Sequence, residues 1–172
     1  AFEDFTLVVN SNNPIVKDIE KLNEVIVGSK VVYNFAALSD LNLALDKPLD
    51  TININILGNL NVMEACRNHG VKRFIYASTV YVHSREGGFY RCSKLASESY
   101  VEEYQRVFGL DYTILRYGSL YGPRADESNG LYRVVKLALE KKVGARALRS
   151  VMEEKLLNTM ITFQNEHLGY LK

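Results

Sequence analysis

Two hydroxyls, a phenol and an ammonium stand at intervals that could serve one reaction. The run Lys72 to Ser78 (KRFIYAS) leads into Thr79, Tyr90 follows twelve residues after Ser78, and Lys94 comes four further on (FYRCSK). Positions i and i+4 share a helix face, so a phenol and an ammonium so spaced can point into one site. The chemistry needs that pairing. A free phenol has a pKa of about 10 and is a poor base near neutrality, whereas a cation within reach favours phenolate by roughly 1–3 units. Lys94 is therefore expected to bring Tyr90 toward the operating pH, where general acid–base catalysis contributes about 10²–10⁴ in rate. Ser78 or Thr79 would hold a substrate hydroxyl against the phenol. Spacing alone does not select this pair, because the chain has 11 tyrosines and repeats the interval at Tyr132 and Lys136, with Ser119 thirteen residues upstream. A tyrosine packed along a lysine stem on a helix surface gives the same interval.

The elements that must position these groups alternate between short apolar, β-branched runs and longer stretches of helical period, the pattern of βα units feeding a parallel sheet. Strands are predicted at Phe5 to Val9 (FTLVV), Lys30 to Ala36 (KVVYNFA), Lys72 to Ser78 and Asp111 to Arg116 (DYTILR). Between them, Asn10 to Pro14 turns the chain, and Val16 to Val27 places Ile19, Leu22 and Val25 or Ile26 on one helical face. Pro48 starts a long helix through Cys66, and Gly70 ends it. Phe89 to Phe108 is an amphipathic helix closed by Gly109. Ser128 is the expected N-cap of a helix to Lys142, and Gly144 interrupts before a last helix from Ala145 to about Met160.

Composition excludes several classes. Hydrophobic residues at 47% and charged residues at 24% are those of a folded globular domain. With 21 Lys+Arg against 20 Asp+Glu, the net charge of +1 recommends neither nucleic acid nor a membrane surface as partner. No apolar run approaches the roughly 18–20 residues that span a bilayer, and Glu3 and Asp4 stand where a signal peptide would be basic, so a soluble, cytoplasmic protein is expected. Cys66 and Cys92 fall inside helical patterns and are expected to be reduced, buried thiols. His83 and His167 lack ligand-spaced partners, no metal site is expected, and His69 reads as a partner of a helix C-terminus. The chain starts without methionine, so a piece of a longer protein is expected.

In context, the Tyr90 helix resembles the extended branch of the short-chain dehydrogenase/reductase superfamily, the nucleotide-sugar epimerases and dehydratases. Ordered blocks from about Gly28 to Lys142 carry the resemblance. Lys30 to Asp40 (KVVYNFAALSD) is similar to the strand and turn whose backbone passes the nicotinamide ribose, with Phe35, Ala36 and Ala37 at the turn. Asn53 to Cys66 (NINILGNLNVMEAC) resembles the helix in which an Asn precedes a Gly by three, here Asn55 and Gly58. Val71 to Tyr81 matches the serine strand, Phe89 to Glu98 the Tyr/Lys helix, and Leu115 to Arg124 (LRYGSLYGPR) the segment in which Tyr117 approaches the nicotinamide.

The resemblance implies a Rossmann-like, doubly wound parallel α/β sheet, incomplete at the N-terminus, in residues 1–143, with a helical C-terminal segment in 144–172. It implies NAD as cofactor, bound by Phe35, Ala36, Ala37, Asn55, Tyr90, Lys94 and Tyr117, a nucleotide-sugar substrate, and a homodimer. Ser78, Thr79, Tyr90 and Lys94 are the catalytic set. Its activity would be UDP-hexose 4-epimerisation: NAD removes hydride from a sugar carbon while Tyr90, aided by Lys94 and the positive nicotinamide ring, takes the hydroxyl proton, and hydride returns to the other face. A dehydratase or reductase of the same branch is the alternative, although Val80 and Tyr81 follow Thr79 where dehydratases place acids. A non-catalytic dinucleotide-binding fragment is the other.

The departures bear on the phosphate end of the cofactor. The G-x-x-G-x-x-G turn that cradles a pyrophosphate at a helix start does not occur in the chain. Asn10 to Asn12 stands where the family shows an Asp near the adenine, and Ser119 where epimerases carry Asn. The chain alone is therefore expected to bind NAD weakly and to be inactive on sugars. Gly144 to Glu154 (GARALRSVMEE) is similar to the sensor-2 helix of Clp-type unfoldases, with Arg146 at the phosphate-meeting position. No G-x-x-x-x-G-K-[ST] loop accompanies it, and it is read as an amphipathic helix.

Overall fold

The computed structural model describes residues 5–9, 14–118, 125, 127 and 129–140. The chain divides into two compact units, Ala1–Tyr117 and Gly118–Lys172. In the first, four strands form one parallel sheet in the order β1 (Phe5–Val9), β2 (Ser29–Asn34), β3 (Arg73–Thr79) and β4 (Asp111–Tyr117). Right-handed crossovers between strands laid down in one direction place all connecting helices on one face. These are α1 (Ile19–Ile26), α2 (Leu41–Asp46), α3 (Pro48–Ile52), α4 (Gly58–Asn68) and α5 (Gly88–Phe108). The expected Rossmann-like parallel sheet is thus present. The reversal of strand order that makes a sheet doubly wound does not fall among the described residues.

Register explains the two faces. Leu7, Val32, Phe74 and Tyr112 align across the strands, as do Val9, Asn34, Tyr76 and Ile114. These rows pack with Leu22 and Ile26 of α1, Val62, Met63 and Cys66 of α4, and Val101 of α5 into the core. The alternate row, Val8, Tyr33, Ile75 and Thr113, looks the other way, and Val8 there is 56% exposed. Period-2 alternation, rather than the all-buried run expected for β2, follows from helices on one face only.

Several boundaries differ from expectation for local reasons. The helix expected at Val16 begins as a 3-10 turn, Pro14–Lys17, and restarts as α1 because the Asp18 carboxylate caps it, accepting the Lys21 N–H at 3.1 Å. Asp40 does the same for α2, a helix the sequence pattern did not suggest. The long helix from Pro48 is continuous but contains a π turn, Asn53–Leu57, between α3 and α4. Gly58 follows that turn, and a Cβ there would lie 3.0 Å from the Val16 side chain, so the close approach of α4 to the 3-10 turn needs a glycine.

In the second unit, α6 spans Gly130–Glu140. At its start, Asn129 Oδ1 accepts the Tyr132 N–H at 3.0 Å. Ser128, the turn at 10–13, the helix expected from Ala145, Arg146 and the boundary expected at 143 lie outside the described residues.

Cys66 is buried and its thiol is pushed up to about 12 by burial, but Cys92, expected to be buried, is exposed on the outer side of α5. His69 is the C-cap of α4 and meets the Asn23 side chain at 3.2 Å. No described helix is long and apolar enough to cross a membrane.

Candidate active site

Strand β3 delivers Ser78 and Thr79 at the carboxyl end of the sheet, where ligands of open α/β sheets sit. Helix α5 starts beyond a 3-10 turn, Val80–His83, at Gly87 and Gly88, whose φ of +90° and +49° are accessible to glycine at little cost. Tyr90, Lys94 and Glu98 then recur every four residues along α5. The face of α5 turned to the sheet is polar: Ser93, Lys94, Ser97 and Glu98 are all buried.

Lys94 is 2% exposed, and its ammonium donates to the Ala77 carbonyl at 2.7 Å. It lies 4.8 Å from the Tyr76 ring centroid and 5.8 Å from that of Tyr90. Burial lowers its pKa to about 7, opposed by the charge of Glu98. The Tyr90 phenol moves the other way from expectation. Burial raises its pKa, the neighbouring Tyr81 adds to the rise, and the Thr79 hydroxyl, lying against the phenol, opposes it. The Lys94 ammonium, 5.8 Å from the Tyr90 ring centroid, gives a bond to the Ala77 carbonyl.

The structure thus brings Thr79, Tyr90 and Lys94 together, and Ser78 lies beside Glu98, which shares a helix with Tyr90 and Lys94. Ser78 aligns with Arg116 of β4 on the helix-covered face. Its buried hydroxyl makes no full hydrogen bond, but it lies near the Glu98 carboxylate and helps to hold that group below the usual range. Tyr132 and Lys136 belong to α6, where Lys136 pairs with Glu127.

The turn after β2 is held from beneath. The Phe35 N–H donates to the Val9 carbonyl at 2.7 Å, and the Ala36 N–H to Asn34 Oδ1 at 3.1 Å. Asn55, 1% exposed, accepts the Leu38 N–H at 2.7 Å and donates to the Leu38 carbonyl at 3.1 Å and to Ser93 Oγ at 2.8 Å. Ser93 in turn donates to the Tyr90 carbonyl at 2.8 Å. Both N–H groups of Asn55 are therefore occupied, and through Leu38 it pegs the turn after β2. The π turn aims it there; such turns often mark functional sites. Phe35 faces Tyr117, their ring centroids 6.3 Å apart.

The sequence reading missed Asn34, Ser93, Glu98 and Arg116. Buried polar residues continuing the Tyr90–Lys94 face were the available signal for Ser93 and Glu98. A cavity of about 420 Å³ opens at the opposite edge of the sheet, lined by Thr6, Lys30, Val31, Lys72, Arg73 and Asp111. It sits at the amino ends of the strands, the wrong edge for this chemistry.

A parallel sheet flanked by helices, with a hydroxyl, a phenol and an ammonium gathered at its carboxyl edge, defines an α/β protein of the nucleotide-binding class. The model of the NAD dependent epimerase/dehydratase family matches residues 12–157, and the chain belongs to that family. Among its relatives, the UDP-glucuronate 4-epimerase of Thermodesulfobacterium geofontis is 27% identical over 64% of this chain and 38% of its own length. The dTDP-glucose 4,6-dehydratase of Mycobacterium tuberculosis is 27% identical over 63% of this chain and 37% of its own. In a solved structure, the UDP-glucose 4-epimerase of Thermus thermophilus in complex with NAD, 30% identity covers 72% of this chain and 45% of that one, with a TM-score of 0.61. The chain thus spans less than half the length of these relatives.

The family is NAD-dependent, and the residues described here fit one end of that cofactor. The small Ala36 and Ala37 follow Phe35 in the turn, Phe35 faces Tyr117, and the Lys94 ammonium keeps donors beyond the one given to Ala77.

Proposed function

We propose that this chain carries the catalytic part of an NAD-dependent nucleotide-sugar epimerase of the UDP-hexose 4-epimerase kind. The gathering of Thr79, Tyr90 and Lys94 at the carboxyl edge carries the reading. NAD, when bound, supplies the hydride acceptor. Thr79 would hold the sugar hydroxyl, Tyr90 would exchange its proton, and Lys94 would supply the positive charge that makes phenolate accessible. Phe35, Ala36, Ala37 and Tyr117 shape the nicotinamide end, and Asn55 fixes that turn. Ser78 supports from below rather than touching the sugar. An epimerase is favoured over a dehydratase because Val80 and Tyr81, not acids, follow Thr79. The protein acts in the cytoplasm as a homodimer.

The test is turnover of UDP-glucose to UDP-galactose by the protein expressed from its whole reading frame. Tyr90→Phe removes the proton acceptor and spares packing, so turnover falls by about 10² or more while NAD binding by calorimetry is kept. Unchanged turnover places the base elsewhere. Absence of both turnover and NAD binding in the unmutated protein makes it a non-catalytic relative.

A further inference from the structure

We propose that Glu98 is a positioning residue for the candidate site, its charge acting on the Lys94 ammonium from one turn further along α5, with Arg116 of β4 fixing Glu98 in turn. The proposal rests on the reading of Tyr90 and Lys94 as the reacting pair.

Three observations carry it. First, the Glu98 side chain is only 5% exposed, and Arg116 grips it with two bonds, Nε to Oε1 at 3.0 Å and Nη2 to Oε2 at 2.7 Å. A buried carboxylate needs such a partner, and the planar fork fixes its orientation as well as its charge. Second, Glu98 lies at i+4 from Lys94 on the buried face of α5, the spacing that puts a carboxylate and an ammonium on one side of a helix. Third, Ser78 aligns with Arg116 and lies beside the same carboxylate. Lys94 otherwise meets uncharged groups: the Ala77 carbonyl and Tyr76 ring of β3, and the Tyr90 ring of its own helix. His83 from the 3-10 turn bears on Glu98, and Glu102 on Arg116. Glu98 is therefore the anion that keeps Lys94 charged in a place where burial drives its proton off, and Arg116 partly offsets that anion.

Charge and clamping separate by sign. Both Glu98→Gln and Arg116→Gln break the same clamp, so a purely structural role moves Lys94 in the same direction in both. Through charge, Glu98→Gln lowers the Lys94 midpoint by about one pH unit, and Arg116→Gln raises it. The measurement is an NMR titration of the Lys94 side chain in the 172-residue chain, assigned by Lys94→Met, with circular dichroism to confirm folding. Arg116→Lys, which keeps the pairing, leaves the midpoint in place. A Lys94 midpoint that stays or rises in Glu98→Gln overturns the proposal. Should that variant not fold, equal midpoints in Arg116→Gln and Arg116→Lys overturn it instead. The titration needs neither NAD nor sugar. Opposite movements in a protein without turnover therefore remove the enzymatic reading and leave the role of Glu98, whereas parallel movements in an active protein do the reverse.

Discussion

Replacing Lys94 with methionine makes the chain more tolerant of acid and neutral conditions relative to its behaviour in mild base. In the unfolded chain this lysine titrates near 10.5, and in the fold near 7, because burial penalises the charged form. Below about pH 7 both states hold the proton and the cost of burying the ammonium is present in full. Between about 7 and 10.5 only the unfolded chain keeps it, so this group's contribution to stability improves as pH rises. A tenfold change in proton affinity corresponds to about 1.4 kcal/mol, and integrating from pH 7 to 9 gives about 2 kcal/mol. Methionine fills similar volume, has no charge to desolvate, and forfeits the bond to Ala77 and the contact with Tyr76, a loss that is constant with pH. Urea unfolding of both proteins at pH 6, 7, 8 and 9 isolates the effect, since Cys66 and the buried tyrosines titrate alike in each and cancel in the difference. That difference should move by about 2 kcal/mol toward the wild type between pH 7 and 9. A flat difference would refute the reasoning and mean that Lys94 is hydrated or fully paired in the folded chain.

Asn55→Ala removes three buried hydrogen bonds and strands the Leu38 amide, so urea unfolding should show a loss of about 2–4 kcal/mol. An unchanged midpoint would show that the turn does not depend on this peg. In native buffer, iodoacetamide should label Cys92 quickly and Cys66 only after unfolding, as peptide mass spectrometry can read; equal labelling would contradict the burial of Cys66.

The parts of this fold legible in sequence are those set by local pattern. KRFIYAS is a short β-branched and aromatic run that became β3, and Gly109 closes α5 with φ +70° as its position suggested. Interval and block order pointed to Tyr90 and Lys94 as neighbours. What escaped depends on contacts distant in sequence. Whether Ser78 or Thr79 meets Tyr90 depends on where the end of β3 falls along α5, and strand alternation leaves that open until the helices are placed. The i+4 spacing also says nothing about Ala77, whose carbonyl takes a bond from the Lys94 ammonium. Asn55 stood out by its interval to Gly58, but its partners, Leu38 and Ser93, lie 17 and 38 residues away.

The π turn at Asn53–Leu57 also sets how this helix tolerates insertion and deletion. Gly58 donates its N–H to the Asn53 carbonyl, five residues back, so the rod carries one residue more than a regular turn. Upstream it must keep Thr51 buried, and downstream it must keep Gly58 against Val16 and Asn59 bonded to Asn34. Straightened into an ordinary α-helix with the same residues, the rod would rotate one half against the other by about 100°, and only one set of contacts could survive. Deletion of one residue at the turn is therefore the single length change that leaves both halves in phase, whereas a deletion in either flanking half would turn one set of contacts away.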